Sequence, residues 1–472
     1  MNKQQSARVG IVGGGIAGLS AACVLADSGF QVTVFERRPF VGGRASSYEH
    51  PGTGETVDNC QHVLLGCCTN LLDFYRRIGV SDKIRWFDKL TFIEPGGRRS
   101  EIAPSALPAP LHTAPSFLKA ASLSITDKLA IARAMLALMG PLPPDSSKSF
   151  LDWLREHHQP QRAVDRFWKV VLVSAINEDL DRISLRYGAQ VFRESFLKSP
   201  QAGQMGIPTV PLSDLYANAV GYIESRGGRV LLRRSVDAVV PTAEQVVVQA
   251  AGATESFDRV ILAVPYHALR KLLPTQNGTG RLSTTLRQQL EQFESSPITG
   301  IHLWFDRQIT ELPHAVLLDR TIQWMFQKSK LQPQRQRSDA QGSYIELVVS
   351  SSKALVEMGK QEIIDLALRE FAEFFPAVKA ATLVKGTVVK EVHATYSALP
   401  GSDSHRPGSH SPWPRIFLAG DWTATGWPAT MEGAVRSGYR AAQAVGEGTS
   451  PSRTFLVQDL PAKGLMRLIS AL

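Results

Sequence analysis

Short apolar runs alternate with helix-length segments along the chain, and this pattern begins within the first ten residues. Residues 8–12 (RVGIV) predict a short buried strand, which a glycine-rich turn connects to a helix of small residues ending near Asp27. Gly29 ends this helix, and residues 31–36 (QVTVFE) predict a second strand. A strand, a helix and a second strand in this order form the βαβ unit that opens a Rossmann-type fold.

The rest of the chain continues with the same two kinds of element. Apolar runs predict further strands at 229–233, 245–250, 259–264, 298–305, 343–350, 383–392 and 415–419. Helical patterns are found at about 127–139, 148–197, 212–226, 361–375 and 430–445. We find no internal repeat, and the predicted fold class is α/β.

The order of these elements predicts a nucleotide-binding domain that is interrupted twice by segments of a second domain. The discontinuous Rossmann-type domain is assigned to residues 1–100, 205–290 and 410–450. A mixed α+β substrate-binding domain is assigned to residues 101–204 and 291–409, with a helical cap in its first segment. Residues 451–472 are assigned to a C-terminal tail, and the polar residues 400–414 to a surface loop.

The composition excludes several other classes of protein. The chain has 472 residues, 43% hydrophobic and 20% charged, which is ordinary for a globular protein of two or three compact units. The most apolar stretch, residues 129–142, is broken by Arg133 and is too short to span a bilayer. The net charge of +9 comes without a long run of Lys or Arg, so we expect no nucleic-acid partner.

The four cysteines, Cys23, Cys60, Cys67 and Cys68, all lie in the first 70 residues. They form no C-x-x-C pair, and together with His62 they match no zinc spacing, so we expect no metal. The nucleotide-binding unit begins almost at once and no secretory signal precedes it. We therefore expect a reduced, cytoplasmic protein.

The turn after the first strand has the spacing Gly13-x-Gly15-x-x-Gly18. Gly13 permits a tight turn, Gly15 lets the backbone approach a pyrophosphate, and Gly18 allows the helix to pack closely on the strand. Ile16 and Ala17 begin the helix, whose free N–H groups attract phosphate. The spacing alone is weak evidence, but here it lies between a predicted strand and a predicted helix.

Residues beyond the second strand extend this predicted site. Glu36 ends the strand about 20 residues after the glycines, where a carboxylate accepts hydrogen bonds from an adenosine ribose. Gly43 and Arg44 follow in a second glycine-containing turn, and Arg44 can reach a phosphate or the far part of a bound nucleotide. We also assign Arg37 and Val236 to cofactor binding.

A third motif lies near the other end of the chain, at residues 415–438 (RIFLAGDWTATGWPATMEGAVRSG). A buried strand leads to Gly420 and Asp421, and a helix begins near Thr430 and Met431. Asp421 can bind ribityl hydroxyls, and the helix N-terminus can face the flavin pyrimidine ring, where negative charge gathers on reduction. FAD is long enough to span the two distant sites, so we predict FAD as the cofactor.

From about residue 8 to 445 the chain resembles the amine oxidase and carotenoid desaturase superfamily of flavoproteins. It is most similar to the squalene-associated FAD-dependent desaturases, which are hydroxysqualene dehydroxylases of hopanoid and squalene biosynthesis. Three segments show this resemblance: VDNCQHVLLGCCTNLLDFYRRIG at 57–79, IPTVPLSDLYANAV at 207–220 and AGDWTATGWPATMEGAVRSG at 419–438.

Two positions depart from the family pattern. Cys60 replaces the glycine of the family's Asp-Asn-Gly-Gln-His. Glycine accepts a positive φ, which Cys tolerates poorly, so the backbone conformation at this position could differ from that of the family. Asn177-Glu178-Asp179 stands where the family tends to have Asn-Thr-Pro, and this change could alter the wall of the cap over the substrate.

The resemblance implies that the protein removes an allylic hydroxyl reductively from hydroxysqualene, a C30 isoprenoid, to give squalene. The departing hydroxide needs an acid, and the allylic cation needs hydride from reduced flavin in a dry apolar site. His62 and Asp58 are the candidates for the catalytic acid and base. The alternative is that both only order their loop by hydrogen bonding. Glu178 and Asp179 of the cap are further candidates for the proton donor. Two alternatives stay open: a carotenoid or polyprenoid desaturase, and a non-enzymatic prenyl-lipid-binding protein.

A C30 hydrocarbon must be taken from a bilayer or from another protein. We therefore expect peripheral contact with lipid at the inner face of the membrane, and upstream synthases of the squalene pathway as candidate partners. The basic charge and the terminal residues 464–472 (GLMRLISAL) fit such attachment. Leu129, Ala132, Leu136 and Met139 lie on one face of the 127–139 helix, and we interpret this apolar face as core rather than membrane surface. Since no second dinucleotide fingerprint is found, an external electron donor is expected.

Overall fold

A computed structural model describes residues 7–273, 281–332, 342–447 and 453–469. Its strands are β1 (Arg8–Val12), β2 (Gln31–Phe35), β3 (Ser47–Glu49), β4 (Thr56–Asp58), β5 (Leu64–Leu65), β6 (Ile84–Phe87), β7 (Leu90–Ile93), β8 (Arg99–Ile102), β9 (Met205–Pro208), β10 (Arg229–Leu231), β11 (Val236–Pro241), β12 (Val246–Ala250), β13 (Ala253–Phe257), β14 (Arg259–Leu262), β15 (Ser295–Phe305), β16 (His314–Leu317), β17 (Trp324–Gln327), β18 (Ser343–Ser350), β19 (Leu383–Tyr396) and β20 (Ile416–Leu418). Its α-helices are α1 (Ile16–Asp27), α2 (Thr69–Arg77), α3 (Ala114–Lys119), α4 (Ile125–Leu138), α5 (Phe150–Glu156), α6 (Gln161–Ala163), α7 (Lys169–Ile176), α8 (Leu185–Phe192), α9 (Leu212–Glu224), α10 (Tyr266–Leu272), α11 (Arg281–Glu291), α12 (Lys328–Leu331), α13 (Lys360–Phe374), α14 (Met431–Gly446) and α15 (Met466–Ile469).

A five-stranded parallel sheet in the order β10-β2-β1-β14-β20 forms the nucleotide-binding part. The predicted βαβ unit places β1 beside β2, and the distant strands β14 and β20 continue the sheet on the other side of β1. Helices α1 and α14 pack together so closely that a Cβ on Gly438 would lie 2.3 Å from the carbonyl oxygen of Ala17. The predicted α/β class is confirmed, and both ends of the chain contribute to this sheet.

The second layer is a seven-stranded sheet in the order β19-β15-β18-β17-β16-β7-β8. Side chains alternate across it: Ile345 and Leu347 of β18 belong to the apolar core that includes Phe371 of α13, whereas Tyr344 and Glu346 point to the opposite face. Strands β7 and β8 join this sheet, so the boundary predicted at residue 100 falls inside its last strand.

Helices α3 to α8, with two π-helical turns at Val164–Trp168 and Arg193–Leu197, form the helical block predicted between residues 101 and 204. Their core is aromatic: Trp168 lies 4.8 Å from Phe192 and 5.8 Å from Phe150 between ring centroids. The indole of Trp168 also donates to Gln159 Oε1 at 2.8 Å. This ring therefore joins several helices of the block.

Replacing Trp168 by Ala should destabilise the protein by about 3–5 kcal/mol, because it removes a fully buried ring and leaves a cavity. The shift of the urea unfolding midpoint measures this loss. Trp86→Ala is the matched control, since that indole is 37% exposed and its removal should shift the midpoint little. Equal shifts for the two variants would contradict the role of Trp168 in the core.

Candidate functional site

The glycine-rich turn between β1 and α1 is held by close backbone contacts. A Cβ on Gly13 would lie 2.5 Å from the carbonyl oxygen of Ala263, and Gly13 also has a φ of +113°. A Cβ on Gly18 would lie 2.0 Å from the carbonyl oxygen of Gly13. Packing alone therefore requires glycine at both positions, as the predicted tight turn and close helix–strand contact imply.

Gly15 differs, because an added Cβ would meet nothing nearer than the Cα of Gly43, at 3.9 Å. The missing side chain leaves open space beside the start of α1. Gly15 is the N-cap of α1 and has no side chain that could accept hydrogen bonds from the first N–H groups of the helix. The first turn, which begins with Ile16 and Ala17, contains no acidic residue. Free N–H donors beside an open cradle fit a pyrophosphate.

Glu36 lies next to this cradle and is 7% exposed. Its carboxylate accepts hydrogen bonds from the backbone N–H groups of Gly14 and Arg38, both at 2.8 Å. A carboxylate offers about four acceptor positions, so capacity remains for ribose hydroxyls. The backbone carbonyl of Glu36 accepts a hydrogen bond from Arg234 N–H. This bond places Glu36 close to Val236, the first residue of β11 in the three-stranded β11-β12-β13 sheet.

Arg37 has an exposed side chain, and its contact with the cofactor stays a prediction. Its neighbour Arg38 instead donates to the Gly43 carbonyl at 2.9 Å and links the two glycine-containing turns. Successive side chains of an extended segment point to opposite sides, and the sequence alone did not show which arginine faces inward.

Arg44 and Asp421, predicted as two separate cofactor contacts, form an ion pair with 2.6 Å between Nη2 and Oδ1. Arg44 also donates to the Ala394 carbonyl at 2.8 Å. Burial lowers the pKa of the Arg44 guanidinium, but the neighbouring Asp421 carboxylate outweighs this effect, so the pKa is raised. Gly420, with a φ of +143°, is fixed by a hydrogen bond from its N–H to Ser437 Oγ.

The N-terminus of α14 follows this ion pair in the chain. Thr430 caps the helix by accepting from Gly433 N–H at 3.0 Å, and Met431 receives a hydrogen bond from Tyr216. Glu432, the acid of the first turn, is turned away and accepts from Leu71 N–H at the start of α2. The acidic side chain of the first turn of α14 is thus occupied elsewhere, which suits the predicted contact of this N-terminus with a flavin.

A buried arginine in the connection 400–414 holds the loop after Asp421. Arg406 is 4% exposed and donates to the carbonyls of Asp421 and Trp427 and to Thr425 Oγ1. The surface-loop prediction for this connection is wrong at Arg406 and at Trp413, which is also buried. Polar composition concealed Arg406, because carbonyl oxygens of a distant loop satisfy its guanidinium.

Asp58 lies at the end of β4 and is surrounded by donors. Lys328 Nζ is 2.6 Å from its carboxylate, and Ser47 Oγ donates to the other oxygen. The same ammonium donates to Gln61 Oε1 at 2.6 Å, although Lys328 is completely buried. These contacts suit an ionised Asp58 that orders the 58–62 loop, and its catalytic role stays a prediction.

His62, on the same loop, is half-buried, and its Nδ1–H donates to the Cys60 carbonyl at 2.7 Å. Burial lowers the pKa of His62, and the Cys60 carbonyl only partly offsets this. The imidazole is therefore neutral near neutral pH with its proton on Nδ1, so Nε2 can accept a proton but cannot donate one.

The two departures from the family pattern have local explanations. Cys60 does not have positive φ, so the thiol replaces glycine without backbone strain. Asn177 does adopt a left-handed conformation, with φ 59°, and its amide donates to the Ser296 carbonyl and to Thr395 Oγ1. Glu178 and Asp179 both pair with Lys353, so these cap acids join the cap to the second sheet.

Glu346, which the sequence did not indicate as a site residue, lies near the 58–62 loop, to which Lys328 connects it. It is completely buried on β18, opposite His302 of β15, and Lys328 Nζ is 3.3 Å from its Oε2. Burial raises the pKa of Glu346 to about 7, with the nearby Asp58 carboxylate adding to the effect and Lys328 opposing it. The one signal in the sequence was a single acid within the otherwise uncharged strand SYIELVVS.

The described ranges contain neither a candidate metal site nor a candidate membrane-spanning helix. Residues 7–273, 281–332, 342–447 and 453–469 contain no group of His, Cys, Asp and Glu side chains suited to a metal ion. No helix in the same ranges is both long and apolar enough to cross a membrane.

The parallel sheet, the open cradle at Gly15 and the start of α14 fit a FAD-binding oxidoreductase. The profile of the family described as flavin containing amine oxidoreductase matches residues 16–446. The chain belongs to this family, and FAD is its cofactor.

The chain is also similar to two desaturases in sequence and to an oxidase of known structure. A 15-cis-phytoene desaturase of Synechococcus elongatus is 28% identical over 461 residues, covering 93% of this chain and 95% of the relative. A probable zeta-carotene desaturase of the same organism is 27% identical over 480 residues, covering 93% and 98%. Among solved structures, putrescine oxidase has a TM-score of 0.70 at 17% identity, covering 93% of this chain and 99% of the oxidase. The chain is thus a FAD-dependent oxidoreductase of the flavin containing amine oxidoreductase family, with sequence similarity to carotenoid desaturases.

Replacing Glu36 by Ala should lower the affinity for FAD about ten- to a hundredfold, because charge-assisted hydrogen bonds to the ribose are worth about 1.5–3 kcal/mol. Titration of the apoprotein with FAD measures the change. Glu244→Ala, at an exposed site, is the control and should leave the affinity unchanged. Equal affinities for both variants would show that Glu36 does not contact the cofactor.

Proposed function

We propose that this protein catalyses the FAD-dependent reductive dehydroxylation of hydroxysqualene to squalene, a step of hopanoid and isoprenoid biosynthesis. The observation that supports it is Glu346, a completely buried carboxyl beside the 58–62 loop, whose pKa is raised by burial to about 7. The similarity of residues 57–79, 207–220 and 419–438 to hydroxysqualene dehydroxylases points to the same reaction.

Loss of an allylic hydroxyl requires a proton donor, because hydroxide is a poor leaving group. Glu346 is suited to this task, whereas Asp58 is held by an ammonium and His62 lacks a proton on Nε2. The C–O bond breaks as the proton of Glu346 passes to the departing oxygen, and water leaves. Bound reduced FAD would supply the hydride that forms the new C–H bond.

Short separations support a position of Glu346 near the predicted flavin contacts. Glu346 and Asn59 both border Gly300, since a Cβ built on Gly300 would be 3.7 Å from Glu346 Oε1 and 3.8 Å from the Asn59 carbonyl oxygen. Asn59 in turn donates to the Arg44 carbonyl at 3.1 Å, and Arg44 pairs with Asp421. These separations support a role of Glu346 near the predicted flavin contacts.

Apolar side chains beside Glu346 can exclude water from a hydrocarbon. A buried cluster on this side of the sheet contains Cys60, Met205, Ile207, Phe326, Leu331 and Val348. Water-free surroundings protect a carbocation and strengthen the field of the few charged groups present.

Desaturation of a carotenoid or other polyprenoid is the second candidate, and two observations favour it. The relatives named above are desaturases, and the neutral His62 is suited to accept the proton that a desaturation releases. A non-enzymatic prenyl-lipid-binding protein is the third alternative. The open cradle at Gly15 and the Arg44–Asp421 ion pair argue against it, since both fit a bound dinucleotide.

Substrate assays separate the two enzymatic candidates. Anaerobic enzyme with reduced FAD should convert hydroxysqualene to squalene, identified by mass. In D₂O, deuterium should appear at the carbon that loses its hydroxyl, because flavin N5–H exchanges with solvent. The parallel assay uses oxidised enzyme, phytoene and a quinone acceptor. Product from phytoene alone would replace the proposed function by desaturation, and unlabelled squalene would exclude hydride transfer.

Glu346→Gln should lower dehydroxylation about 10²–10⁴-fold while FAD stays bound, because the amide keeps the shape but has no acidic proton. In the parent protein, turnover should fall as the pH rises through about 7, since the acidic form is lost there. Glu370→Gln is the control: this buried carboxylate accepts from Ile322 N–H in the same domain. A loss of only a few-fold, with an unchanged pH profile, would exclude Glu346 as the acid.

A further inference from the structure

Helix α4 carries an exposed apolar stripe on the surface of the helical cap. Ile125 is 63% exposed, Leu129 60% and Leu136 65%, and the small Ala132 between them is also exposed. These positions lie on one face of the helix over three turns. The prediction that this face belongs to the core is wrong for Leu129, Ala132 and Leu136, because Ile131, Ala134 and Leu138 form the buried face.

A second part of the chain enlarges this apolar surface. The described end of the tail packs on the segment before α3, where Leu465 N–H donates to the Ala109 carbonyl at 2.9 Å. Met466 is fully buried there, whereas Leu465 and Leu468 are 45% and 68% exposed. Residues 470–472 of the predicted attachment segment lie outside the described residues.

The two parts are joined through α3. Lys128 Nζ donates to the Leu118 carbonyl at 2.7 Å, which places the end of α3 beside the first turns of α4. The resulting surface, called the cap face below, consists of exposed residues Leu107, Leu111, Leu118, Ile125, Leu129, Leu136, Leu465 and Leu468. Several exposed leucines gathered on neighbouring segments of a folded protein are typical of an interaction site.

The positive charges beside the cap face favour a partner with an anionic surface. Lys119, Arg133, Lys463 and Arg467 are all exposed on the segments that form it. Within residues 103–139 and 463–469 the only acid is Asp127, which is buried and paired with Arg162 at 2.7 Å. Apolar side chains flanked by cations alone complement a bilayer with anionic headgroups, in which leucines enter the acyl region and lysine and arginine reach phosphates.

We propose that the cap face docks on the surface of an anionic lipid bilayer and that the protein is held there peripherally. The leucines supply apolar burial, and the four cations select anionic lipid. This inference goes beyond the proposed function, because it depends on the surface of the cap and not on which isoprenoid the site accepts.

Co-sedimentation of the FAD-loaded, full-length protein with vesicles tests the proposal. Binding should be stronger to vesicles of phosphatidylcholine with phosphatidylglycerol than to phosphatidylcholine alone, and about 0.5 M salt should release much of the difference. Leu129→Ser/Leu136→Ser should reduce partitioning by about tenfold or more, because it removes apolar burial without changing charge. Val240→Ser/Val384→Ser, at exposed positions outside the cap face, is the matched control and should bind like the parent.

Two results would overturn the proposal. One is equal vesicle binding by the cap-face and control variants. The other is a parent protein that dimerises without vesicles, with dimerisation lost in the cap-face variant, since the face would then contact a second copy. Turnover with substrate delivered in detergent should be the same for both variants. Failure of the proposed reaction would remove activity from every variant in detergent, yet leave the difference in vesicle binding intact.

Discussion

The ion pair between Arg44 and Asp421 joins two loops that lie 377 residues apart in the sequence, and the cofactor site depends on it. Arg44 follows the second glycine-containing turn, whereas Asp421 follows the last strand of the parallel sheet. Arg406 holds the Asp421 loop from behind by donating to its carbonyls. The pyrophosphate cradle and the start of α14 thus keep a fixed separation, which a long cofactor such as FAD requires.

A second constraint is the burial of three ionisable groups around the 58–62 loop. Lys328 supplies one positive charge, and Asp58 and Glu346 could supply two negative charges. Burial disfavours the charged form of a carboxyl group, and it raises the pKa of Glu346 to about 7. Lys328 Nζ lies nearer to Asp58, at 2.6 Å, than to Glu346, at 3.3 Å, so the ammonium stabilises a charge on Glu346 less strongly. The interior therefore favours the protonated form of Glu346 beside the 58–62 loop.

Much of the nucleotide-binding half could be predicted because its signals are local. The glycine spacing, the strand before it and Glu36 all fall within 30 residues of one another. Glu346, Lys328 and Arg406 could not be found in this way, since their partners are distant; Lys328 and Asp58 are 270 residues apart. The prediction that the apolar face of α4 is core is wrong for another reason. An apolar stripe that faces a core and one that faces outward have the same periodicity in the sequence.

The close contact between α1 and α14 has a consequence for the order of events on the ribosome. Gly438 touches the carbonyl of Ala17, and β20 is the last strand to join β14. Until more than 400 residues have been synthesised, β14 has no partner on that side and the surface of α1 that meets α14 is uncovered. The nascent N-terminal unit therefore exposes an unpaired strand edge and apolar helix surface, both of which chaperones recognise and which promote aggregation. Completion of the parallel sheet, and with it the flavin half of the site, must await the emergence of the last strand.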